Sequence, residues 1–269
     1  MELPLRLNAR PWTPPPTVLA LDADEVHVWR VDVDSAYTRR DLLWSFLADD
    51  ERQRAADFLF DADRERFVVA RGVLRALLGG YLRRHPGSLG FGYNPHGKPH
   101  LGGDSEIRFS TSHSHGLVLL AFARGRDVGV DIERVRADLG LEEIAACCFS
   151  PREMASLHSL RNGPRERAFF ACWTRKEALA KAEGRGLALA LHRFDVTLTP
   201  GEPAMLLDTR GNSLEPTKWI LEELAPDPGY AAALAVEGNG VRLLCWQYTG
   251  HDELVSCGPL PRASGSSTP

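Results

Sequence analysis

The stretch that most constrains the fold lies between residues 107 and 135. It reads as three strands in succession: IRFSTS (107–112), LVLLAFA (117–123) and DVGVDIERV (127–135). The middle run is almost continuously apolar, which suits a central strand buried on both faces. The outer two carry polar residues at every second position, and alternate strand residues share a face. A sheet built on these runs needs helices or a second sheet to cover its apolar sides.

Such covering elements are legible on either side. EVHVWRV (25–31) puts Val26, Val28 and Arg30 on one face and His27, Trp29 and Val31 on the other, a strand pattern. In RFVVARGVLRALLGGYL, Phe67, Ala70, Leu74, Leu77, Leu78 and Tyr81 recur at helical spacing, and Gly79-Gly80 weakens the end. HPGSLGFGYNPHGKPHLGG (85–103) is dense in turn formers and reads as a long loop. Helices are expected over 141–147, 151–161 and 165–183; Ser150 as cap and Pro151 in first position start the second. FDVTLT (194–199), YAAALAV (230–236) and VRLLCWQY (241–248) read as short strands. The expected organisation is an irregular arm (1–20), an α/β half (21–105), a second α/β half (106–250) and a flexible tail (251–269). The fold class is α+β, a pair of similar α/β halves meeting near residue 105, without a close internal sequence repeat.

Of the 269 residues, 43% are hydrophobic and 25% charged, an ordinary globular composition. The net charge of −4 gives no reason to expect a nucleic-acid partner. Five cysteines (Cys147, Cys148, Cys172, Cys245 and Cys257) without CxxC spacing point to free thiols in a reducing cytoplasm. The start, MELPLRLNARPWTPPP, lacks the apolar core of a signal peptide, and no run is long enough for a membrane span.

Four short features carry chemistry. In VGVDIERV, Asp131 and Glu133 project to one side, where their charges repel unless solvent or a cation intervenes. Hard cations such as Mg²⁺ take such carboxylates together with phosphates and water; an exposed strand end is the plainer explanation. In FACWTRKEALAKAE (170–183), Trp173, Glu177 and Lys181 share a helix face. Glu177 and Lys181 have the spacing of a surface ion pair, and Trp173 suits the core edge of the helix. In FSTSHSHG (109–116), Ser112 and His113 point to opposite sides, so the pair is no catalytic dyad. Both side chains can contact an anion, or simply sit in a polar turn. In HGKPHL, Lys98 places a point charge in a Gly/Pro loop.

Taken in order, these features resemble a known family. Gly97-Lys98-Pro99, the Phe109/Ser112-His113 stretch, Val128-Gly129-Val130-Asp131-Ile132-Glu133, Trp173/Lys176-Glu177-Ala178/Lys181 and Gly184-Arg185-Gly186-Leu187 are similar to the 4′-phosphopantetheinyl transferases of the surfactin-synthetase-activating type. ERQRAADFLFDADRERFVVARGVLR (51–75) resembles that family's basic N-terminal helical segment, and the likeness runs from about residue 25 to 248. The resemblance implies Mg²⁺-dependent (or Mn²⁺-dependent) transfer of 4′-phosphopantetheine from coenzyme A to a serine of an apo acyl or peptidyl carrier protein, releasing 3′,5′-ADP. It implies Asp131, Glu133 and Glu177 as metal ligands and Lys181 at the diphosphate. Glu177 is metal ligand, base or both. Lys98, Pro99, Ser112 and His113, with Arg54 and Arg66, would hold coenzyme A. A cytoplasmic monomer acting on peptide, polyketide or fatty-acid carriers is expected. Ser110 stands where family members often have asparagine, and Glu51 where some have a basic residue. Glu51 would then weaken one phosphate contact or shift it to Arg52 or Arg54. A metal-dependent nuclease and a non-catalytic carrier-binding protein are the rival readings.

Overall fold

Strand β1 (Glu25–Asp32) is buried on both faces, because one sheet divides two apolar clusters. Val26 and Val28 face the first; Trp29 and Val31 face the second. The coordinates are those of a computed structural model describing residues 10–136, 140–161, 163–210 and 214–250. The whole of the expected tail, with Cys257, and the first nine residues of the expected arm lie outside the described residues.

The remaining strands are β2 (Phe91–Tyr93), β3 (Pro99–Leu101), β4 (Ile107–Ser114), β5 (Leu117–Arg124), β6 (Val128–Arg134), β7 (Asp195–Val196), β8 (Leu206–Asp208), β9 (Trp219–Leu224), β10 (Tyr230–Glu237) and β11 (Arg242–Gln247). The helices are α1 (Val33–Tyr37), α2 (Arg40–Phe46), α3 (Asp49–Ala56), α4 (Asp61–Leu82), α5 (Leu141–Cys148), α6 (Pro151–Ser159) and α7 (Pro164–Glu183).

Two sheets form the frame. The first has order β11-β1-β5-β4 and the second β6-β10-β9. Their inner faces share a cluster that includes Val26, Val28, Leu119, Ala121, Val130, Ile132 and Leu234. The outer face of the first packs against α4, and that of the second against α7. This is the expected α+β arrangement of two halves, each a sheet with one long helix. The chain exchanges between them late: β4 and β5 pair with β1, and β11 returns to lie parallel to β1. Residue 105, where the halves were expected to meet, lies between β3 and β4.

Local chemistry explains the element ends. α6 starts as expected: the Ser150 hydroxyl accepts from Glu153 N–H, Glu153 accepts from Ser150 N–H, and Pro151 occupies the first turn. α7 ends at Gly184, whose φ of 75° most side chains avoid. Two expectations need correction. The segment 85–103 is not one loop, because Phe91–Tyr93 and Pro99–Leu101 pair as a short antiparallel hairpin. In FDVTLT only Asp195 and Val196 form a strand, since Thr197 bonds the 203–205 turn instead.

Candidate active site

The site forms where α7 lies closely on the second sheet. Small residues make that approach possible: Ala231, Ala233 and Ala235 of β10 face α7, and they pair with Glu133, Asp131 and Gly129 of β6. At Gly129 the helix backbone comes so near that a methyl group would overlap the Ala178 carbonyl and the Ala182 amide. Period-two alternation then turns Val128, Val130 and Ile132 into the inter-sheet core and Asp131 and Glu133 toward the helix.

Asp131 is buried. Its Oδ1 accepts from Ser112 Oγ at 2.8 Å and from Lys181 Nζ at 2.7 Å. Its Oδ2 is also buried and has no hydrogen-bond partner. Glu133 accepts from Ser114 Oγ at 3.0 Å. Burial and then the Asp131 charge raise the Glu133 pKa. Glu177, on α7, is raised by burial, then by Asp131; Lys181 opposes this and Glu133 adds to it. The three carboxylates therefore share one electrostatic neighbourhood. The helical spacing of Glu177 and Lys181 suggested an ion pair between them, yet Lys181 bonds Asp131 and Val130 O on β6.

The described residues hold no set of three His, Cys, Asp or Glu in ready-made ligand geometry. The donor chemistry nonetheless fits a hard divalent cation. Asp131 pairs with Lys181, Glu133 and Glu177 feel both charges, and the buried Asp131 Oδ2 lacks a partner, which calls for an ion or water.

The expected anion contacts divide. Arg66 acts on His113 through its charge, and its Nε donates to His115 O, two residues along and just past the end of β4, at 3.0 Å. Desolvation, followed by the Arg66 and Lys181 charges, lowers the His113 pKa although its ring edge reaches solvent. Arg54 lies over the ring of Phe67, the residue after Arg66, at 5.4 Å. Lys98 and Pro99 line a cleft of about 220 Å³ with Phe109, Ser110, Thr111 and Lys181. The Lys98 ammonium donates to the Ala182 carbonyl at 2.8 Å, beside the C-terminal end of α7, and burial lowers its pKa. A larger open concavity of about 560 Å³ beside Arg84 and Glu106 is lined by none of these residues. Glu51 is not a phosphate position: it is buried and accepts from Arg71 and Arg75 at 2.5 and 2.6 Å.

Helix α7 is held by two charged residues whose roles its sequence did not disclose. Lys176 is fully buried, 2.8 Å from Glu153, and donates to the carbonyls of Leu191 and Phe194 at 2.6 Å each. Arg175 reaches Glu223 on β9 at 2.9 Å. Trp173 stacks on Phe169 with centroids 6.4 Å apart and joins the α7 core. Ser114 was also missed. Its signal was the polar residue at every second position in FSTSHS, read for anion contact rather than for the neighbouring strand.

Comparison with known proteins agrees with this architecture. Residues 127–235 match the model of the 4′-phosphopantetheinyl transferase superfamily. The 4′-phosphopantetheinyl transferase HetI of Nostoc sp. is 41% identical over 240 residues, covering 88% of this chain and 98% of the relative. Sfp of Bacillus subtilis is 28% identical over 191 residues, covering 71% and 82%. The L-aminoadipate-semialdehyde dehydrogenase-phosphopantetheinyl transferase of Xenopus laevis is 28% identical over 209 residues, covering 70% and 67%. The chain belongs to the 4′-phosphopantetheinyl transferase superfamily. It is a phosphopantetheinyl transferase, an enzyme of group transfer rather than a nuclease or a bare scaffold.

Proposed function

We propose that the donor is coenzyme A, that the acceptor is a serine hydroxyl of an apo acyl or peptidyl carrier protein, and that Asp131, Glu133 and Glu177 hold Mg²⁺ or Mn²⁺. The observation that carries the reading is the buried, unpartnered Asp131 oxygen beside the Asp131–Lys181 pair, with Glu133 and Glu177 in the same electrostatic neighbourhood. A cation bound there would neutralise diphosphate charge.

The chain's own groups divide the rest of the work. The serine oxygen attacks the β-phosphorus of coenzyme A; the bond to the bridging oxygen breaks and 3′,5′-ADP leaves. Lys181 supplies positive charge to the diphosphate beside Asp131. Glu177 accepts the serine proton; burial, then the Asp131 charge, raises its pKa and with it its proton affinity. His113 and Arg66 present donors to a phosphate on the α4 side of β4; a bound dianion would draw a proton onto His113. Lys98 and Pro99 shape the cleft beside Lys181. Because β4, β6 and α7 all belong to one chain, the working unit is a monomer.

No helix among the described residues is long and apolar enough to cross a membrane. Cys147, Cys148, Cys172 and Cys245 are free thiols, which supports a cytoplasmic setting. The test is release of 3′,5′-ADP from coenzyme A, followed chromatographically with apo carrier and Mg²⁺. Release that needs both is expected; release without carrier, or cleavage of DNA instead, would overturn the reading.

A further inference from the structure

The two sheets meet at a seam with an unusual composition. A strand edge ordinarily satisfies its N–H groups with carbonyls of a neighbouring strand. β6 does so toward β10. On its other edge, the N–H groups of Val130, Ile132 and Arg134 donate to the hydroxyls of Ser110, Ser112 and Ser114 on β4, at 3.1, 3.4 and 3.1 Å. The constant offset of 20 residues shows the two strands running in the same sense. Side chains replace backbone pairing along this seam.

Each serine hydroxyl has one hydrogen to give. Ser112 gives it to Asp131 Oδ1 at 2.8 Å and Ser114 to Glu133 Oε2 at 3.0 Å. Each of these oxygens is thus held by the N–H of the residue after the carboxylate and by the carboxylate itself; Ser114 Oγ also lies 3.3 Å from His115 Nδ1. Ser110 occupies the equivalent place opposite Gly129, which has no carboxylate. The hydrogen of Ser112 is spent on Asp131, so its hydroxyl is not a free donor toward a phosphate.

We propose that Ser112 and Ser114 are positioning residues. Their hydroxyls lock the side-chain angles of Asp131 and Glu133 to the β6 backbone, so that both carboxylates present oxygens to a divalent cation before it arrives. The proposal rests on the metal reading above. Partners of metal ligands commonly alter metal affinity in this way.

Mn²⁺ binding to the purified full chain, read from the electron paramagnetic resonance signal of the free ion, tests this without turnover. Ser114→Ala should weaken Mn²⁺ binding about 10-fold or more, while Ser114→Thr, which keeps the hydroxyl, should stay within about threefold of wild type. Ser110→Ala strips the same kind of seam bond without touching a carboxylate, so it should lower thermal stability yet leave Mn²⁺ affinity within about twofold. If Ser114→Ala does not fold, Ser112→Ala makes the same comparison through Asp131. Wild-type Mn²⁺ affinity in the alanine variants would overturn the proposal alone. So would equal weakening by Ser110→Ala, which would leave the serines as seam stabilisers. A wild-type chain that binds no Mn²⁺ would overturn the metal reading and this proposal together.

Discussion

Asp131 divides its two oxygens between opposite tasks. Oδ1 is fixed by Ser112 and Lys181, while Oδ2 is buried without a partner. Asp131→Ala should leave the fold intact, because it also relieves repulsion on Glu133 and Glu177. Transfer should fall more than about 100-fold, beyond the usual loss from an outer partner of a metal ligand; circular dichroism and a transfer assay on one sample check both halves. The raised pKa values of Glu133 and Glu177 fix a pH dependence as well. A carboxylate whose folded pKa lies above its unfolded value costs the metal-free fold stability as pH rises through that interval. A cation relieves this cost and competes with protons for the same oxygens. Thermal melts should therefore show Mg²⁺ raising the melting temperature more at about pH 8 than at about pH 5; an equal rise would contradict the shared carboxylate site. At this scale the sequence disclosed that Asp131 and Glu133 share a side, because strand alternation is local. It did not disclose that Lys181 prefers Asp131 to Glu177, because that choice depends on how near β6 and α7 come.

Elements bring those residues together through close packing. Gly129 lets α7 settle on β6, and the three alanines of β10 give the same clearance alongside. Gly129→Ala should push the strand off the helix. It should destabilise the chain by about 1–3 kcal/mol, as overpacking does, and lower transfer in the folded fraction by drawing Asp131 away from Glu177. A denaturant titration with a matched activity measurement checks it. Glu51 clamps α3 to α4. Burial alone would raise its pKa, but the bonds from Arg75 and the Ala48 N–H, with the Arg71 and Arg75 charges, hold it below the ordinary 4.5. Its contribution is present above 4.5 and is lost as pH falls through the lower folded value. Glu51→Gln should therefore cost stability at neutral pH and show less further loss on acidification, by thermal melts across that range. Alternation made β1 legible, a continuous apolar run β5, and helical spacing of apolar residues α4. β9 was not, because WILEEL mixes polar and apolar residues without clean alternation, and the β2–β3 hairpin was hidden by turn formers in its short strands.

Across the whole molecule, the functional arrangement depends on exchange between sheets. β4 and β5 belong with β1, and β11 crosses back beside it, so β4 becomes the edge that meets β6. Such pairings join residues far apart in the chain, and local patterns carry no trace of them; two halves were legible, but not which strands each would take. The seam places the Asp131 and Glu133 carboxylates under α7, with the Lys98 cleft beside Lys181 and Arg66 bonded to His115 O on the α4 side. This one surface should carry the complete reaction. The most direct test is intact-mass spectrometry of apo carrier proteins incubated with the chain, coenzyme A and Mg²⁺. A carrier should gain the mass of one phosphopantetheine on its serine, and the gain should disappear with Asp131→Ala or on chelation of the metal. An unchanged carrier mass with wild-type enzyme across acyl and peptidyl carriers, or a gain that survives Asp131→Ala, would contradict it.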